Sequence, residues 1–216
     1  MRINVDFKAV TEFSKYMSSE SVQFELLSGK LLLIYGKGTP SDAHACLESV
    51  LTTFMGKSIL YADLQKNFRG KLYLQDTPLH FSLSHTNDAF LLGVNQFQEI
   101  GIDLEGNVPP NEIDSLADYA FSPDERLLLD QFPGTASFLK IWTMKEAYLK
   151  ATGTGMMDAL STLHVVSSPD FGVMDNQYSC LHFQCPSKET GSLVCRGTMP
   201  EVFCMLWGMK KEIGAD

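Results

Sequence analysis

The sequence lacks the features that mark membrane, secreted or nucleic-acid-binding proteins. No apolar run approaches the roughly eighteen residues that cross a bilayer, and the first ten residues, MRINVDFKAV, lack the apolar core of a signal peptide. The 26 acidic residues outnumber the 17 lysines and arginines, and the formal net charge of -9 disfavours binding to nucleic acid or to an anionic membrane surface. We therefore expect a cytoplasmic protein with neither of these partners.

Cysteine is scarce as well, and its pattern favours no disulfide framework and no zinc site. The five cysteines are an odd number without a CxxC pair, which is typical of buried thiols. Cys180, His182 and Cys185 supply one donor too few for a closed zinc site. No G-x-S-x-G turn is present, so Ser84 and His85 give little support to a serine hydrolase.

The residues that are present predict a mixed α+β fold. In the first half, SVQFELLSGKLLLIYG predicts a hairpin that turns at Ser28 and Gly29. A helix of about four turns should follow, with Ser41 as its N-cap and Gly56 at its end. Between residues 71 and 105, four short β-type runs predict one antiparallel sheet.

A break in the pattern at residues 107–110 predicts a linker, because Asn107 is followed closely by two prolines. Three helical segments come next: NEIDSLADYAF, then SPDERLLLDQF with Ser122 as its cap, then a longer helix from Ala136 to Ala151 that ends at Gly153. Four strand-like segments complete the chain, namely STLHVV, YSCLHFQC, SLVCRG and VFCMLWGM. Both halves thus mix helix with antiparallel sheet.

Two short segments carry the chemistry. In GIDLE, which reads as a strand, Asp103 and Glu105 are two residues apart and project from the same face. In WTMKEAYLK, which reads as a helix, Trp142, Glu146 and Lys150 form one row. If the fold brings that row onto the strand, three carboxylates and one ammonium converge, and a cation is needed among them. Oxygen ligands without His or Cys favour magnesium.

Each of these residues also has an ordinary explanation when it is taken alone. Asp103 and Glu105 fit a solvated strand edge, and Glu146 with Lys150 fits a surface pair that contributes only tenths of a kcal/mol. Trp142 fits core packing. The case for a site therefore depends on the third acid, because a partly buried carboxylate needs a partner.

The order and spacing of five stretches give the chain a family resemblance. GKL at Gly70, FSLSHT, GIDLE, WTMKEAYLK and the GTG at Gly153 together resemble the surfactin-type 4'-phosphopantetheinyl transferases. Members of that family move the phosphopantetheine arm of coenzyme A onto a serine of a carrier protein. The resemblance implies two similar α/β-sandwich halves, residues 1–106 and 107–216, which are related by a pseudo-twofold axis and enclose the active site in the cleft between them.

The resemblance also implies roles for individual residues. Asp103, Glu105 and Glu146 match the magnesium ligands, and Glu146 also matches the residue proposed as the base. Lys150 matches a lysine that contacts phosphate, and Trp142 matches an aromatic residue that supports the site. The implied reaction is a magnesium-dependent transfer in which Glu146 deprotonates the carrier serine, directly or through a water molecule on the metal.

Further matches concern coenzyme A itself. Lys71 and His85 match positions that face coenzyme A, with His85 near the 3'-phosphate, and Ser84 lies beside it in the same motif. The chain departs from the family at Ala45, where many members carry an arginine. That departure keeps one alternative open, a degenerate relative that binds coenzyme A or a carrier without catalysis. A magnesium-dependent phosphohydrolase is a further alternative.

The implied partners are coenzyme A and an apo acyl or peptidyl carrier protein, and we expect the protein to be a monomer. Carriers of this kind are generally acidic, so a net charge of -9 provides no long-range attraction to them. Docking should therefore be local. Candidate contacts are Lys140, Lys145 and the turn at Gly153.

Overall fold

The computed structural model of the protein describes residues 29–155, 160–167, 172–173 and 175–207. The strands, in chain order, are β1 Leu31–Lys37, β2 Gln65–Lys66, β3 Leu72–Tyr73, β4 His80–His85, β5 Ala89–Asn95, β6 Ile100–Glu105, β7 Val166–Ser167, β8 Gly172–Val173, β9 Tyr178–Gln184, β10 Thr190–Arg196 and β11 Val202–Trp207. The helices are α1 Pro40–Met55, α2 Ile113–Ala120, α3 Pro123–Gln131 and α4 Thr135–Thr152. Single 3-10 turns lie at Tyr61–Asp63, Pro110–Glu112 and Leu160–Thr162. The predicted α+β class is confirmed.

The main elements form four layers. A four-stranded sheet has the order β11-β1-β5-β4, and a three-stranded sheet has the order β6-β10-β9. One apolar core lies between α1 and the four-stranded sheet, a second lies between the two sheets, and a third lies between the three-stranded sheet and the helices α2 to α4. Alternate residues of β1 serve two of these cores, as the strand period of two requires.

The prediction of a single antiparallel sheet between residues 71 and 105 is wrong. Strands β4 and β5 pair with each other, but β6 pairs with β10 in the other sheet, and β3 pairs only with β2. Strand β6 lies instead on the face of β5. A Cβ atom at Gly93 of β5 would lie 3.2 Å from side-chain atoms of both Ile100 and Ile102, so the missing side chain lets the two strands pack closely face to face.

Other local predictions have mixed outcomes. Helix α1 ends at Gly56, which has the left-handed backbone expected of a C-cap. Its N-cap is Thr39 and not Ser41, because Pro40 takes the first helical position, and the Asp42 carboxylate accepts a hydrogen bond from the Thr39 N–H at 2.7 Å. The first strand of the predicted hairpin lies outside the described residues. Its second strand is β1, which pairs antiparallel with β5 and parallel with β11.

In the second half the helix predictions are confirmed. Ser122 caps α3 by accepting a hydrogen bond from the Glu125 N–H, and α4 ends at Gly153. The prediction of a strand at STLHVV is wrong, because residues 160–162 form a 3-10 turn and only residues 166–167 are extended there. All five cysteines are free thiols. Within the described ranges, every helix is too short or too polar to cross a membrane.

Candidate functional site

Helix α4 lies directly on strand β6, and a glycine makes this possible. A Cβ atom at Gly101 would lie only 2.0 Å from the Ala147 carbonyl oxygen and 2.2 Å from the Ala151 nitrogen. Any side chain at Gly101 would therefore push the helix away. Since residues two apart on a strand share a face, Asp103 and Glu105 face the same helix.

Asp103 is the centre of a compact polar cluster. Its Oδ1 atom accepts hydrogen bonds from Lys150 Nζ at 2.7 Å and from Ser84 Oγ at 2.9 Å. Lys150 Nζ also donates to Ser84 Oγ at 3.1 Å, and the Leu104 N–H donates to the same oxygen at 3.3 Å. The Ser84 hydroxyl thus donates once and accepts twice, which is its full capacity. In this structure Ser84 orients Asp103 and Lys150.

Glu105 and Glu146 lie close enough to Asp103 to interact with its charge. Burial, and after it the negative charge of Asp103, raises the pKa of Glu105 to about 7, while a hydrogen bond from Trp142 opposes this rise. Burial and Asp103 also raise the pKa of Glu146, and Lys150 opposes that rise. The structure therefore brings together the five residues that the two sequence segments singled out.

The fit of a cation to this cluster can be judged from the donor atoms. Within the described ranges, no three His, Cys, Asp or Glu side chains lie close enough together to enclose a metal ion. Asp103 Oδ2, however, is buried and has no hydrogen-bond partner. A buried carboxylate oxygen without a partner is costly, and carboxylate oxygens are the ligands that magnesium prefers. The residues therefore suit a hard divalent cation, which would have to draw the three acids closer together.

A cleft of about 250 Å³, which we call the first cleft, opens beside this cluster. Its lining residues are Arg69, Gly70, Lys71, Leu72, Phe81, Ser82, Leu83, Glu146, Leu149, Lys150, Gly153 and Gly155. Lys71 Nζ donates to the carbonyl oxygens of Ile100 at 3.3 Å and Ala151 at 3.2 Å, and burial lowers the pKa of Lys71. An ammonium has three N–H groups, so one of them remains available to a ligand in the cleft.

The turn between β2 and β3 holds the C-terminal end of α4. The sequence alone did not predict this contact. Arg69 Nη1 donates to the Thr154 carbonyl at 2.6 Å, and Asn67 Nδ2 lies 3.5 Å from the Gly153 carbonyl. With the bond from Lys71 to Ala151, three side chains of one turn satisfy carbonyls at the end of the helix. The GKL motif thus fixes one wall of the first cleft.

Two serines join β4 to the edge of β6 that has no strand partner among the described residues. The Ile102 N–H donates to Ser82 Oγ at 3.1 Å, and the Leu104 N–H donates to Ser84 Oγ at 3.3 Å. The two-residue spacing in FSLSHT matches the two-residue spacing of free N–H groups along a strand edge. That spacing was the available signal, but the sequence did not reveal which strand the serines would meet.

His85 lies outside the first cleft, at the exposed end of β4. His44 of α1 stacks on Tyr61 with ring centroids 3.7 Å apart. Burial lowers the pKa of His44, and the nearby His85 lowers it further. Ala45, at the position where many family members carry an arginine, thus follows His44, whose pKa is lowered by the nearby His85.

The prediction that Lys145 contacts the carrier protein is wrong. Lys145 is 2% exposed and forms a 2.6 Å ion pair with Glu125, and it also donates to the Leu163 carbonyl oxygen. Five residues do not complete a whole number of helical turns, so Lys145 and Lys150 point to different sides of α4. Lys145 lies in the helical core. Lys150 lies against Asp103, Glu105 and Glu146, which we call the acidic cluster.

Comparisons with known proteins agree with this arrangement. Residues 99–174, which include Asp103, Glu105, Glu146 and Lys150, match the family model of the 4'-phosphopantetheinyl transferase superfamily. The chain is 39% identical over 117 residues to the 4'-phosphopantetheinyl transferase HetI of Nostoc sp., a match that covers 51% of this chain and 49% of the relative. It is 35% identical over 105 residues to the 4'-phosphopantetheinyl transferase psf-1 of Bacillus pumilus, covering 47% and 44%.

A third relative, the 4'-phosphopantetheinyl transferase gsp of Aneurinibacillus migulanus, is 34% identical over 96 residues, covering 43% of this chain and 38% of the relative. The chain thus spans about half the length of the curated relatives it matches, or less. The resemblance to 4'-phosphopantetheinyl transferases that the motifs predicted is confirmed. The alternative of a degenerate binding relative is not favoured.

Proposed function

We propose that this relative of the 4'-phosphopantetheinyl transferases moves the 4'-phosphopantetheine group of coenzyme A onto a serine of an apo carrier protein. Adenosine 3',5'-bisphosphate is the second product. The proposal includes magnesium as the cofactor, held by Asp103, Glu105 and Glu146. It also includes the two halves, residues 1–106 and 107–216, related by a pseudo-twofold axis, and a monomer in the cytoplasm.

One observation carries the proposal: the buried Asp103 Oδ2 atom has no partner within a group of three acids. Lys150 supplies one positive charge to this group, and two of the acids retain raised pKa values despite it. A divalent cation would relieve the remaining repulsion. When bound, magnesium would neutralise the oxygens of the coenzyme A pyrophosphate and stabilise the charge that develops there.

The first cleft is suited to the nucleotide end of coenzyme A. Arg69, Lys71 and Lys150 bring positive charge to its walls, where phosphate oxygens need donors. Leu72 and Leu83, which are partly exposed, add apolar surface that an adenine ring can cover. Since both kinds of surface occur in one cleft, the bisphosphate product is held there while the bond to the pantetheine side breaks.

Lys150 and Glu146 perform the chemistry beside that cleft. The carrier serine oxygen bonds to the β-phosphorus, the bond from that phosphorus to the bridging oxygen breaks, and the bridging oxygen leaves with adenosine 3',5'-bisphosphate. The serine proton passes to Glu146, whose side chain lines the cleft. Lys150, with 32% of its side chain exposed, reaches the departing oxygen and stabilises its charge. Ser84 holds Lys150 and Asp103 in position through its hydrogen bonds with both side chains.

The test is a transfer assay with coenzyme A, magnesium and a panel of apo acyl and peptidyl carrier proteins, read by intact mass. At least one carrier should gain the mass of a phosphopantetheine group. Glu146→Ala should abolish the gain, whereas Glu112→Ala, a matched change at an exposed glutamate far along the chain, should leave it unchanged. Absence of transfer to every carrier in a broad panel would contradict the proposal.

A further inference from the structure

A second cleft of about 530 Å³, which we call the second cleft, opens at the other end of the acidic cluster. Three chain turns surround it: residues 86–88 between β4 and β5, residues 105–107 after β6, and residues 187–189 between β9 and β10. Lys37 at the end of β1 closes the remaining side. Neither the sequence motifs nor the family resemblance assigns this cleft a role.

Buried polar contacts make the floor of the second cleft rigid. The hydroxyl of Tyr35, which is fully buried, lies 3.1 Å from both carboxylate oxygens of Glu189. Lys37 Nζ bridges Glu189 at 3.0 Å and Asp88 at 3.2 Å. These contacts tie β1 to two of the surrounding turns and hold the floor of the cleft in place.

The acidic cluster is open to both clefts, but through different residues. Glu146 and Lys150 line the first cleft, and Glu105 lines the second. In phosphoryl-type transfer the attacking and leaving oxygens lie roughly in line on opposite sides of the phosphorus. If the leaving bisphosphate occupies the first cleft, as the proposed function requires, the attacking serine must approach from the opposite side.

We propose that the second cleft receives the serine-bearing segment of the carrier protein. This inference rests on the proposed function and adds to it the place where the acceptor docks. A serine that enters this cleft reaches the phosphorus from the side of Glu105, and its proton passes across the acidic cluster to Glu146, which lies close enough to Glu105 for their charges to interact.

The lining of the second cleft suits a peptide segment. Asn87 and Asn107, both exposed, present uncharged donors and acceptors that match backbone amide groups. Lys188 adds an exposed positive charge at the rim, where an acidic carrier would place a carboxylate. The charge of Lys37, in contrast, is already neutralised by Asp88 and Glu189.

Gly106 provides a direct steric test. It lines the second cleft, and a Cβ atom there would meet no atom within 4 Å, so a large side chain should enter the cleft without disturbing the fold. Gly106→Trp should lower kcat/KM for the apo carrier that the wild-type protein modifies fastest by about a hundredfold. The KM for coenzyme A should stay within about twofold. Ser58→Trp, at an exposed position outside both clefts, serves as the matched control.

A charge reversal at the rim gives a second, milder test. Lys188 has a left-handed backbone with φ of 73°, which aspartate tolerates. Lys188→Asp should raise the KM for the carrier about three- to fivefold at low salt, and less at high salt. Lys57→Asp makes the same charge change at another exposed lysine and should leave that KM unchanged.

The outcomes separate this inference from the proposed function. If the wild-type protein transfers the group and Gly106→Trp leaves carrier kinetics unchanged, the second cleft is not the acceptor site. If Gly106→Trp raises the KM for coenzyme A but not the inhibition constant of adenosine 3',5'-bisphosphate, the cleft holds the pantetheine arm, and the inference is again overturned. If the wild-type protein transfers nothing, both proposals are overturned.

Discussion

Helix α4 carries two lysine–carboxylate pairs of nearly equal length but of different character. Lys145 pairs with Glu125 at 2.6 Å, and Lys150 pairs with Asp103 at 2.7 Å. The first pair is sealed in the helical core, where both side chains are at most 3% exposed. In the second pair 32% of the lysine side chain is exposed, next to a cleft.

The two carboxylates differ most in how their oxygens are used. Glu125 accepts hydrogen bonds from the backbone N–H groups of Ser122, Val165 and Val166 in addition to the bond from Lys145, so both of its oxygens have partners. Asp103 uses only one oxygen, and the other is buried without a partner. A structural ion pair is one in which every carboxylate oxygen has a hydrogen-bond partner. A buried carboxylate oxygen without a partner indicates a ligand site.

The largest expected effect is on the structural pair. Glu125→Ala leaves Lys145 buried without its partner and should lower the free energy of unfolding by about 3–5 kcal/mol. Chemical denaturation measures this loss. Glu125→Gln, which keeps an acceptor for the backbone N–H groups, should cost less. If Glu125→Ala cost under about 1 kcal/mol, the distinction between the two pairs would fail.

The second prediction concerns Lys150. Lys150→Met should reduce transfer to the carrier by about 100- to 1,000-fold, since it removes the charge that stabilises the leaving oxygen. The free energy of unfolding should fall less than in Lys145→Met, because 32% of the Lys150 side chain is exposed whereas Lys145 is buried. Lys145→Met is the matched substitution on the same helix and should do the opposite, with a large loss of stability. Comparable destabilisation by the two variants would contradict the comparison.

A smaller effect is expected at Ser84. Ser84→Ala removes the hydroxyl that links Lys150 to Asp103 and should lower kcat about fivefold. Of the three hydrogen bonds lost, the buried one from the Leu104 N–H contributes about 1 kcal/mol to stability. Ser82→Ala loses the equivalent bond to the Ile102 N–H but no contact with Asp103. Equal kinetic effects of the two variants would show that Ser84 acts only by joining β4 to β6.

The smallest effect is a pH dependence of stability in the absence of divalent cations. The pKa of Glu105 is raised from its ordinary value of 4.5 to about 7, so the stability that this group contributes is present below pH 4.5 and is lost as the pH rises through 7. Glu146 acts in the same direction. Thermal unfolding between pH 5 and 8 should show the decline, and magnesium should reduce it.

Glu105→Gln is the control for this measurement, because it removes one of the two titrating groups and should reduce the pH dependence without magnesium. A decline of the same size in Glu105→Gln would assign the effect to other groups. Asp103→Asn should abolish the stabilisation by magnesium, since it removes the carboxylate with the unpartnered oxygen.

Much of the candidate site was predictable from the sequence because its geometry is local. The row of Trp142, Glu146 and Lys150 follows from the helical period, and the shared face of Asp103 and Glu105 follows from the strand period. Both periods hold in the structure, where Lys150 meets Asp103 and Trp142 donates to Glu105. The metal ligands and the coenzyme A contacts stay predictions.

The errors concern pairing between distant segments. Strand β6 was assigned to the sheet of its chain neighbours, but it pairs with β10, and β11 returns to pair with β1. The roles of Ser82, Arg69 and Gly101 were missed for the same reason, because each depends on a segment at least twenty residues away. Pattern analysis detects which face of an element is apolar but not which other element covers it.

The sequence by itself determined the helices, most of the strands, and the two segments that carry acids and lysine on defined faces. Those properties depend on the repeat of the backbone and on capping residues, which act over a few positions. Only the tertiary structure decided that α4 lies on β6 through Gly101, that Lys145 is buried while Lys150 borders a cleft, and that the acidic cluster has two openings. These outcomes depend on close packing between segments far apart in the chain, and packing is a property of the whole fold.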